Sequence, residues 1–264
     1  MYFSPRGFFM YNSLVIKPIK NLGQNFLQDT TVANMMIEEL SLTDNDFVIE
    51  IGPGTGVLTD RLAKLNCTVL AVEYDPRLVA QLTARYSNNK NITVIYDNFL
   101  KWLPQNSPNK PYKVLGSIPY YITSPILHAL IQTDNMAKKA VFMVQKEVGE
   151  KVCAMEPDAS YLSVFVQTFY DTTYVKTISN MSFYPVPKVD SSIIKLEKKQ
   201  GEEKFTREFI KKYEGFLHKG FGSPRKMINK RFDKQLLLDA GIDPSLRPQD
   251  LGVGKWLDLY KLYN

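Results

Sequence analysis

Three glycines, Gly52-x-Gly54-x-Gly56, directly follow the apolar run Phe47-Val48-Ile49-Glu50-Ile51. Glycines there let the backbone turn tightly and come close to a ligand. The nearest nucleotide fingerprint is G-x-G-x-x-G, and here the third glycine comes one residue early. Glu73 stands 21 residues after Gly52, at the end of the next apolar run, Thr68 to Val72. A carboxylate at that point can accept hydrogen bonds from both hydroxyls of a ribose. Loop and carboxylate together predict a nucleoside cofactor, and they suit NAD and S-adenosylmethionine equally. They also describe a tight turn followed by an exposed glutamate.

The choice between cofactors is made downstream. A dehydrogenase needs a proton donor or acceptor in its site, such as a histidine or a Tyr/Lys pair, and no persuasive candidate is present. Instead, the run Tyr112 to Leu115 leads into Gly116-Ser117-Ile118-Pro119-Tyr120. Ser117-Ile118-Pro119-Tyr120 matches [Asp/Asn/Ser]-x-Pro-[Tyr/Phe], a signature of methyltransferases that act on amino groups of bases. The expected cofactor is therefore S-adenosylmethionine.

These residues need rigid elements to hold them. Asp29 reads as the N-cap of a helix whose apolar residues are Val32, Met35, Met36, Ile37 and Leu40. Strands are expected at 47–51, 68–72, 92–96, 112–115 and 140–144. Between them come helices through Leu58, Leu62 and Leu65, from Pro76, and from Ser124 to Ile131. Such alternation means a parallel sheet covered on both faces. After a helix near Tyr161–Tyr170, two β-rich runs, 173–178 and 191–196, predict an appended antiparallel hairpin. From Lys204 onward the pattern is helical, and the polar stretch 198–204 makes a domain boundary. The expected organisation is a tail over 1–20, loosely ordered and ending in a basic arm, then a Rossmann-like α/β domain over 21–200 and a small helical domain over 201–264.

Composition narrows the chemistry. The chain has 264 residues, 44% hydrophobic and 23% charged, which is enough for a substantial core. No run approaches the ~20 apolar residues of a membrane span. Cys67, Cys153, His128 and His218 lack metal-ligand spacing. They are read as two reduced thiols of a cytosolic protein and two structural histidines, with no metal centre. The segment 1–20 is acid-free but its apolar residues are interrupted, which argues against a secretory signal and leaves a mitochondrial transit peptide open. The net charge of +6 is concentrated between Pro185 and Lys234, where 14 Lys or Arg face 7 Asp or Glu. That concentration describes either a polyanion-binding face or a solvated helix surface.

From Asn21 onward the sequence resembles one family over almost its whole length. It looks like the KsgA-type ribosomal RNA adenine dimethyltransferases, which share a fold with the Erm resistance methylases. The resemblance rests on Asn21-Leu22-Gly23-Gln24-Asn25-Phe26-Leu27, Ile49-Glu50-Ile51-Gly52-Pro53-Gly54-Thr55-Gly56 and Phe183-Tyr184-Pro185-Val186-Pro187-Lys188-Val189-Asp190-Ser191-Ser192. The stretch Gly241-Ile242-Asp243-Pro244-Ser245-Leu246-Arg247 also matches and favours the KsgA type over Erm. The resemblance implies a class I methyltransferase fold. It implies that Asn25 and Leu27 close over the cofactor, that Gly52 approaches its amino-acid end and that Glu73 holds the ribose. Two positions depart from the family: Ser117 stands where Asn is usual, and Asn98, in Asp97-Asn98-Phe99-Leu100, stands where an Asp binds the cofactor adenine. The Asn98 amide oxygen can still accept from an adenine amino group, and Asp97 can replace it if the turn shifts by one residue.

The implied reaction adds methyl groups to two adjacent adenines near the 3′ end of small-subunit ribosomal RNA during ribosome assembly. It would take place in the cytoplasm, on a pre-small subunit, by a monomer. Ser117 Oγ and the Ile118 carbonyl would accept the amine hydrogens, Pro119 would stiffen the loop, and Tyr120 and Phe183 would sandwich the flipped base. Phe183 taken alone also reads as a core aromatic. Lys188, Arg225, Lys226, Lys230 and Arg231 would contact phosphates, with Arg225 and Lys226 opening a helix. Three other readings remain: an Erm-type large-subunit methylase, a non-catalytic RNA-binding assembly factor, and an NAD oxidoreductase.

Overall fold

The protein is described by a computed structural model covering residues 16–201 and 205–264. Its elements in chain order are β1 (Phe26–Leu27), α1 (Thr30–Leu40), β2 (Phe47–Ile51), α2 (Thr59–Leu62), β3 (Thr68–Glu73), α3 (Pro76–Arg85), β4 (Ile92–Tyr96), α4 (Phe99–Asn106), β5 (Lys113–Ser117), α5 (Thr123–Ile131), β6 (Lys139–Gln145), α6 (Lys146–Cys153), α7 (Tyr161–Phe169), β7 (Tyr170–Ile178), β8 (Phe183–Tyr184), β9 (Ser191–Lys198), α8 (Arg207–Phe221), α9 (Lys234–Asp239) and α10 (Val253–Tyr263).

Strands β2 to β6 carry near-continuous apolar runs because helices cover both faces of the sheet. They pair in parallel, and β9 and β7 extend the sheet antiparallel, giving the order β4-β3-β2-β5-β6-β9-β7. The expected appended hairpin is thus present. The strand order reverses between β2 and β5, so a crevice opens at their carboxyl ends. Gly52 follows β2 and Ser117 ends β5, which brings the two motifs to that crevice.

Asp29 caps α1 by accepting from the Thr31 and Val32 amides at 2.9 and 3.2 Å. Asp75 caps α3, with Pro76 in the first turn. Helix α2 is shorter than expected. Beyond Leu62 the chain tightens into three-residue turns, with Lys64 and Leu65 donating to the carbonyls of Arg61 and Leu62. Helices α4 and α6 were not foreseen, and α4 contains Pro104.

The C-terminal helices share one apolar cluster with the sheet domain, running from Ile49 and Phe142 to Tyr213 and Trp256. An aromatic stack crosses the same junction. The Tyr161 ring lies 4.1 Å from that of His218 on α8 and 6.0 Å from that of His128 on α5. The Tyr161 hydroxyl meets His128 Nε2 at 3.0 Å and donates to Glu214 at 3.2 Å. Both histidines are therefore held in packing, as expected.

The expectation of a loose tail meets a limit at residue 16. Residues 1–15 lie outside the described residues. Lys17 to Lys20, by contrast, are tied down: Arg77 donates to the Lys17 carbonyl at 3.2 Å, and the Ile19 amide donates to Gln24 Oε1 at 2.8 Å. No helix among the described residues is long and apolar enough to cross a membrane.

Candidate active site

The crevice contains a cavity of about 240 Å³. Asn25, Gly52, Gly54, Glu73, Asp97, Asn98, Ser117, Ile118, Pro119, Tyr120 and Phe183 all line it. Leu27 instead lines a smaller adjoining pocket, which also borders Gly52 and Ser117. Residues far apart in sequence are thus gathered at one place.

Each wall has a local cause. Gly52 adopts φ +60°, and a Cβ there would point into open space, so the backbone itself faces the cavity. Gly56 has φ +89°, and its missing Cβ leaves room for α3: one built there would lie 2.9 Å from Leu82. The third glycine therefore serves packing of the loop on α3. The Gly54 amide donates to Glu73 Oε2 at 3.1 Å, while Tyr74 and Asp75 amides donate to Oε1 at 2.8 and 2.9 Å. Burial raises the Glu73 carboxyl from its ordinary value, against those three amides, which lower it. A carboxylate has about four lone-pair sites, so one remains open toward the cavity. Together, an open glycine cradle and an incompletely satisfied, nearly buried carboxylate fit the ribose and amino-acid parts of S-adenosylmethionine.

Asp97 Oδ1 accepts from the Asn98 amide at 2.7 Å, and Asn98 Oδ1 caps α4 through the Leu100 amide at 3.0 Å. The contact expected of Asn98 thus shares its oxygen with a helix cap. Its oxygen is engaged by the helix and its Nδ2 is the group left to donate, so Asp97 holds the freer acceptor of the two.

Ser117 Oγ has no hydrogen-bond partner among the described residues, and the Ile118 amide donates to Met143 across the sheet at 3.1 Å. That bond fixes the loop at the end of β5. The Tyr120 hydroxyl lies 2.8 Å from Ser191 Oγ at the start of β9, and burial pushes its phenol up. Phe183 is buried and packs on Leu27, its partner in the β1–β8 ribbon. It is a core aromatic with one side on the cavity, so both readings of its sequence describe it. Asn25 Nδ2 donates to the Gly23 carbonyl at 3.3 Å.

The basic residues lie elsewhere. Lys188, Arg225, Lys226 and Lys230 are exposed and none lines the cavity. Arg225 and Lys226 do not open a helix, a correction: they sit in a turn before a short 3-10 helix, Ile228–Lys230. Arg231 is half-buried and donates to Ser223 Oγ, so it braces this turn. The thiols are unsuited to nucleophilic work. Burial pushes Cys153 up to about 11 and raises Cys67 as well.

Sequence reasoning missed Tyr74, Gln24 and Tyr121 on the cavity wall. Tyr74 was findable as the neighbour of Glu73. It also passed over Glu50, fully buried in β2, which accepts from Thr59 Oγ1 at 2.7 Å and has its other oxygen without a partner. Burial pushes this carboxyl up to about 8, with repulsion from Glu73 and Asp60 adding to the shift.

Residues 17–264 match the family model described as ribosomal RNA adenine dimethylase. The chain belongs to that family. Its relatives include the ribosomal RNA small subunit methyltransferase A of a Sulfurihydrogenibium species, 34% identical over 250 residues, which span 93% of this chain and 96% of the relative. The protein of the same name from Thermotoga petrophila is 36% identical over 248 residues, 93% of this chain and 92% of that one. Among solved structures, the 23S rRNA methyltransferase ErmE aligns with a TM-score of 0.74 at 28% identity, covering 90% of this chain and 99% of its own. A dimethyladenosine transferase from Plasmodium falciparum aligns at 0.72 and 26% identity, covering 89% and 95%. As a member of the adenine dimethylase family, the protein is a methyltransferase with a class I Rossmann-like fold, and its cofactor is S-adenosylmethionine.

Proposed function

We propose that the protein dimethylates two adjacent adenines in the 3′-terminal hairpin of small-subunit ribosomal RNA, acting as a cytoplasmic monomer on an assembling subunit. One observation carries this reading. Ser117, at the end of β5, opens on the same cavity as Glu73, the glycine loop and Phe183. The names of the relatives and the match of residues 17–264 to the adenine dimethylase family support the substrate.

Bound S-adenosylmethionine supplies an electrophilic methyl group. Gly52, Gly54, Glu73 and Asp97 would hold it, with Asn98 donating and Asn25 and Leu27 closing the near side. An exocyclic adenine amine is a poor nucleophile because its lone pair is delocalised into the ring. Ser117 Oγ and the Ile118 carbonyl would accept hydrogen bonds from its N–H groups and favour a tetrahedral nitrogen. Pro119 stiffens the loop, and the Tyr120–Ser191 bond fixes the ring that would stack on the extruded base. Phe183 would flank the base from the roof. Lys188, Arg225, Lys226 and Lys230 would bind phosphates, with Arg231 bracing their turn. The domain division at residue 201 belongs to the same proposal, with the helices past 205 as the RNA-binding part.

The test is incubation with radiolabelled S-adenosylmethionine and undermethylated small or large ribosomal subunits, followed by nucleoside analysis. N6,N6-dimethyladenosine in the small subunit supports the reading. Label in the large subunit supports an Erm-type enzyme, which the ErmE likeness keeps in view. No label in either would leave a non-catalytic assembly factor.

A further inference from the structure

The segment Ile19–Leu27 is held at three places, and each place belongs to a different part of the active site. Gln24 Nε2 donates to Asp75 Oδ2 at 2.8 Å, while Gln24 Oε1 accepts from the amide of Ile19, at the segment's start, at 2.8 Å. One amide side chain thus folds the segment on itself and fastens it to the turn after Glu73. In the middle, Gly23 lies against the ring of Tyr121, close enough that a Cβ would approach it to 2.9 Å. At its end, Phe26 and Leu27 pair with Tyr184 and Phe183.

Asp75 is the fixed point of this arrangement. It is 1% exposed, caps α3, and pairs with Arg77 Nη2 at 2.6 Å. The Arg77 guanidinium, with help from Gln24, holds its carboxyl down to about 2. Its backbone amide donates to Glu73 Oε1 at 2.9 Å. A single residue, Tyr74, therefore separates the group proposed to grip the ribose from the group that grips the segment. Gln24 and Tyr121 both also line the cavity.

We infer that Gln24 and Asp75 are positioning residues that link cofactor binding to assembly of the target-base pocket. Occupancy at Glu73 orders the Glu73–Asp75 turn, Asp75 holds Gln24, and the fastened segment sets the Tyr121 loop and the Phe183 roof. The energy of the link is that of about one hydrogen bond to a charged group, shared between the two ligands. The inference rests on the reading of the cavity as the S-adenosylmethionine site.

The test uses the full-length protein and S-adenosylhomocysteine, the demethylated product. Gln24→Leu should weaken its binding about five- to tenfold. It should also abolish the extra amide-exchange protection that the product gives to residues 19–27, with the thermal midpoint little changed. Asp75→Asn should weaken binding similarly: with its oxygen kept on the α3 cap, the new Nδ2 faces the Gln24 Nε2 donor. The pair Asp75→Asn with Gln24→Glu restores donor to acceptor, and should recover affinity and protection relative to Asp75→Asn alone. That rescue separates a specific link from general damage to α3. Wild-type affinity and protection in Gln24→Leu, or no rescue in the double variant, would overturn the inference. Failure of the wild type itself to bind the product would instead overturn the reading of the site.

Discussion

Tyr120 and Ser191 are joined at 2.8 Å although they stand 71 positions apart in the sequence. The bond unites the loop that carries Ser117 with the first residue of β9, and Ser191 is fully buried. The Tyr120 hydroxyl is therefore anchored, which holds its ring at the cavity wall. Replacing Ser191 by Ala should lower the single-turnover methylation rate about three- to tenfold, the worth of one such bond. Binding of S-adenosylhomocysteine should stay unchanged. Tyr120→Phe should cost at least as much, since Ser191 Oγ is then left buried without a partner. Equal rates in all three proteins would show that the bond is incidental.

Ser117 Oγ is free to meet a ligand, in keeping with a role during transfer. Ser117→Ala should lower the chemical step by ~2–4 kcal/mol of transition-state stabilisation and leave cofactor affinity nearly intact. Ser117→Asn should stay active, because the cavity beside it is open. Single-turnover kinetics on one subunit preparation compares the three. A fully active alanine variant would move the positioning role to the Ile118 carbonyl and the two aromatics.

Glu50 makes stability depend on pH in an unusual direction. Its folded carboxyl titrates near 8, against 4.5 for an ordinary glutamate. A raised folded value means that its contribution is fully present below about 4.5 and is lost as pH rises through 8. Glu50→Gln mimics the neutral acid and should flatten that loss, which can reach about 1.4 kcal/mol per pH unit for one proton. Urea unfolding at pH 5, 6.5 and 8 reads the difference. Parallel curves for wild type and variant would mean that Glu50 is charged in the fold.

In the basic turn, exposed charge and bracing fall on different residues. Removing charge at exposed Arg225 and Lys226 should flatten the salt dependence of RNA affinity by ~1–2 in slope. Arg231→Ala should instead lower the thermal midpoint, since it strips the brace from Ser223. Fluorescence titrations across salt, set beside thermal melts, distinguish the two. If Arg231→Ala melted like the wild type and shifted the salt slope, the assignment would be reversed.

The sheet was legible because both of its faces are covered, so β2 to β6 read as plain apolar runs. The Asp29 cap was legible because capping is local. Helix α4 was not, because Pro104 inside a helix argues against one. The helix expected at Arg225 failed because the nearby contacts favour a turn: Arg231 reaches back to Ser223, and a Cβ on Gly222 would come within 3.2 Å of its guanidinium. Within the site, Glu73, Gly52 and Ser117 announced themselves by motif. Gln24 sat inside a quoted motif without a role, because its partner Asp75 is 51 residues away and neither residue type alone implies the other. The anchoring of Lys17 by Arg77 was hidden for the same reason.

The aromatic stack through Tyr161 bears on how such enzymes could be retargeted. Since His128 and Tyr161 on the sheet side interlock with Glu214 and His218 on α8, the C-terminal helices do not form a cassette that can be exchanged at residue 201. A working chimera would have to carry the α5 and α7 surfaces along with the helices they hold, because the junction is a shared core rather than a seam.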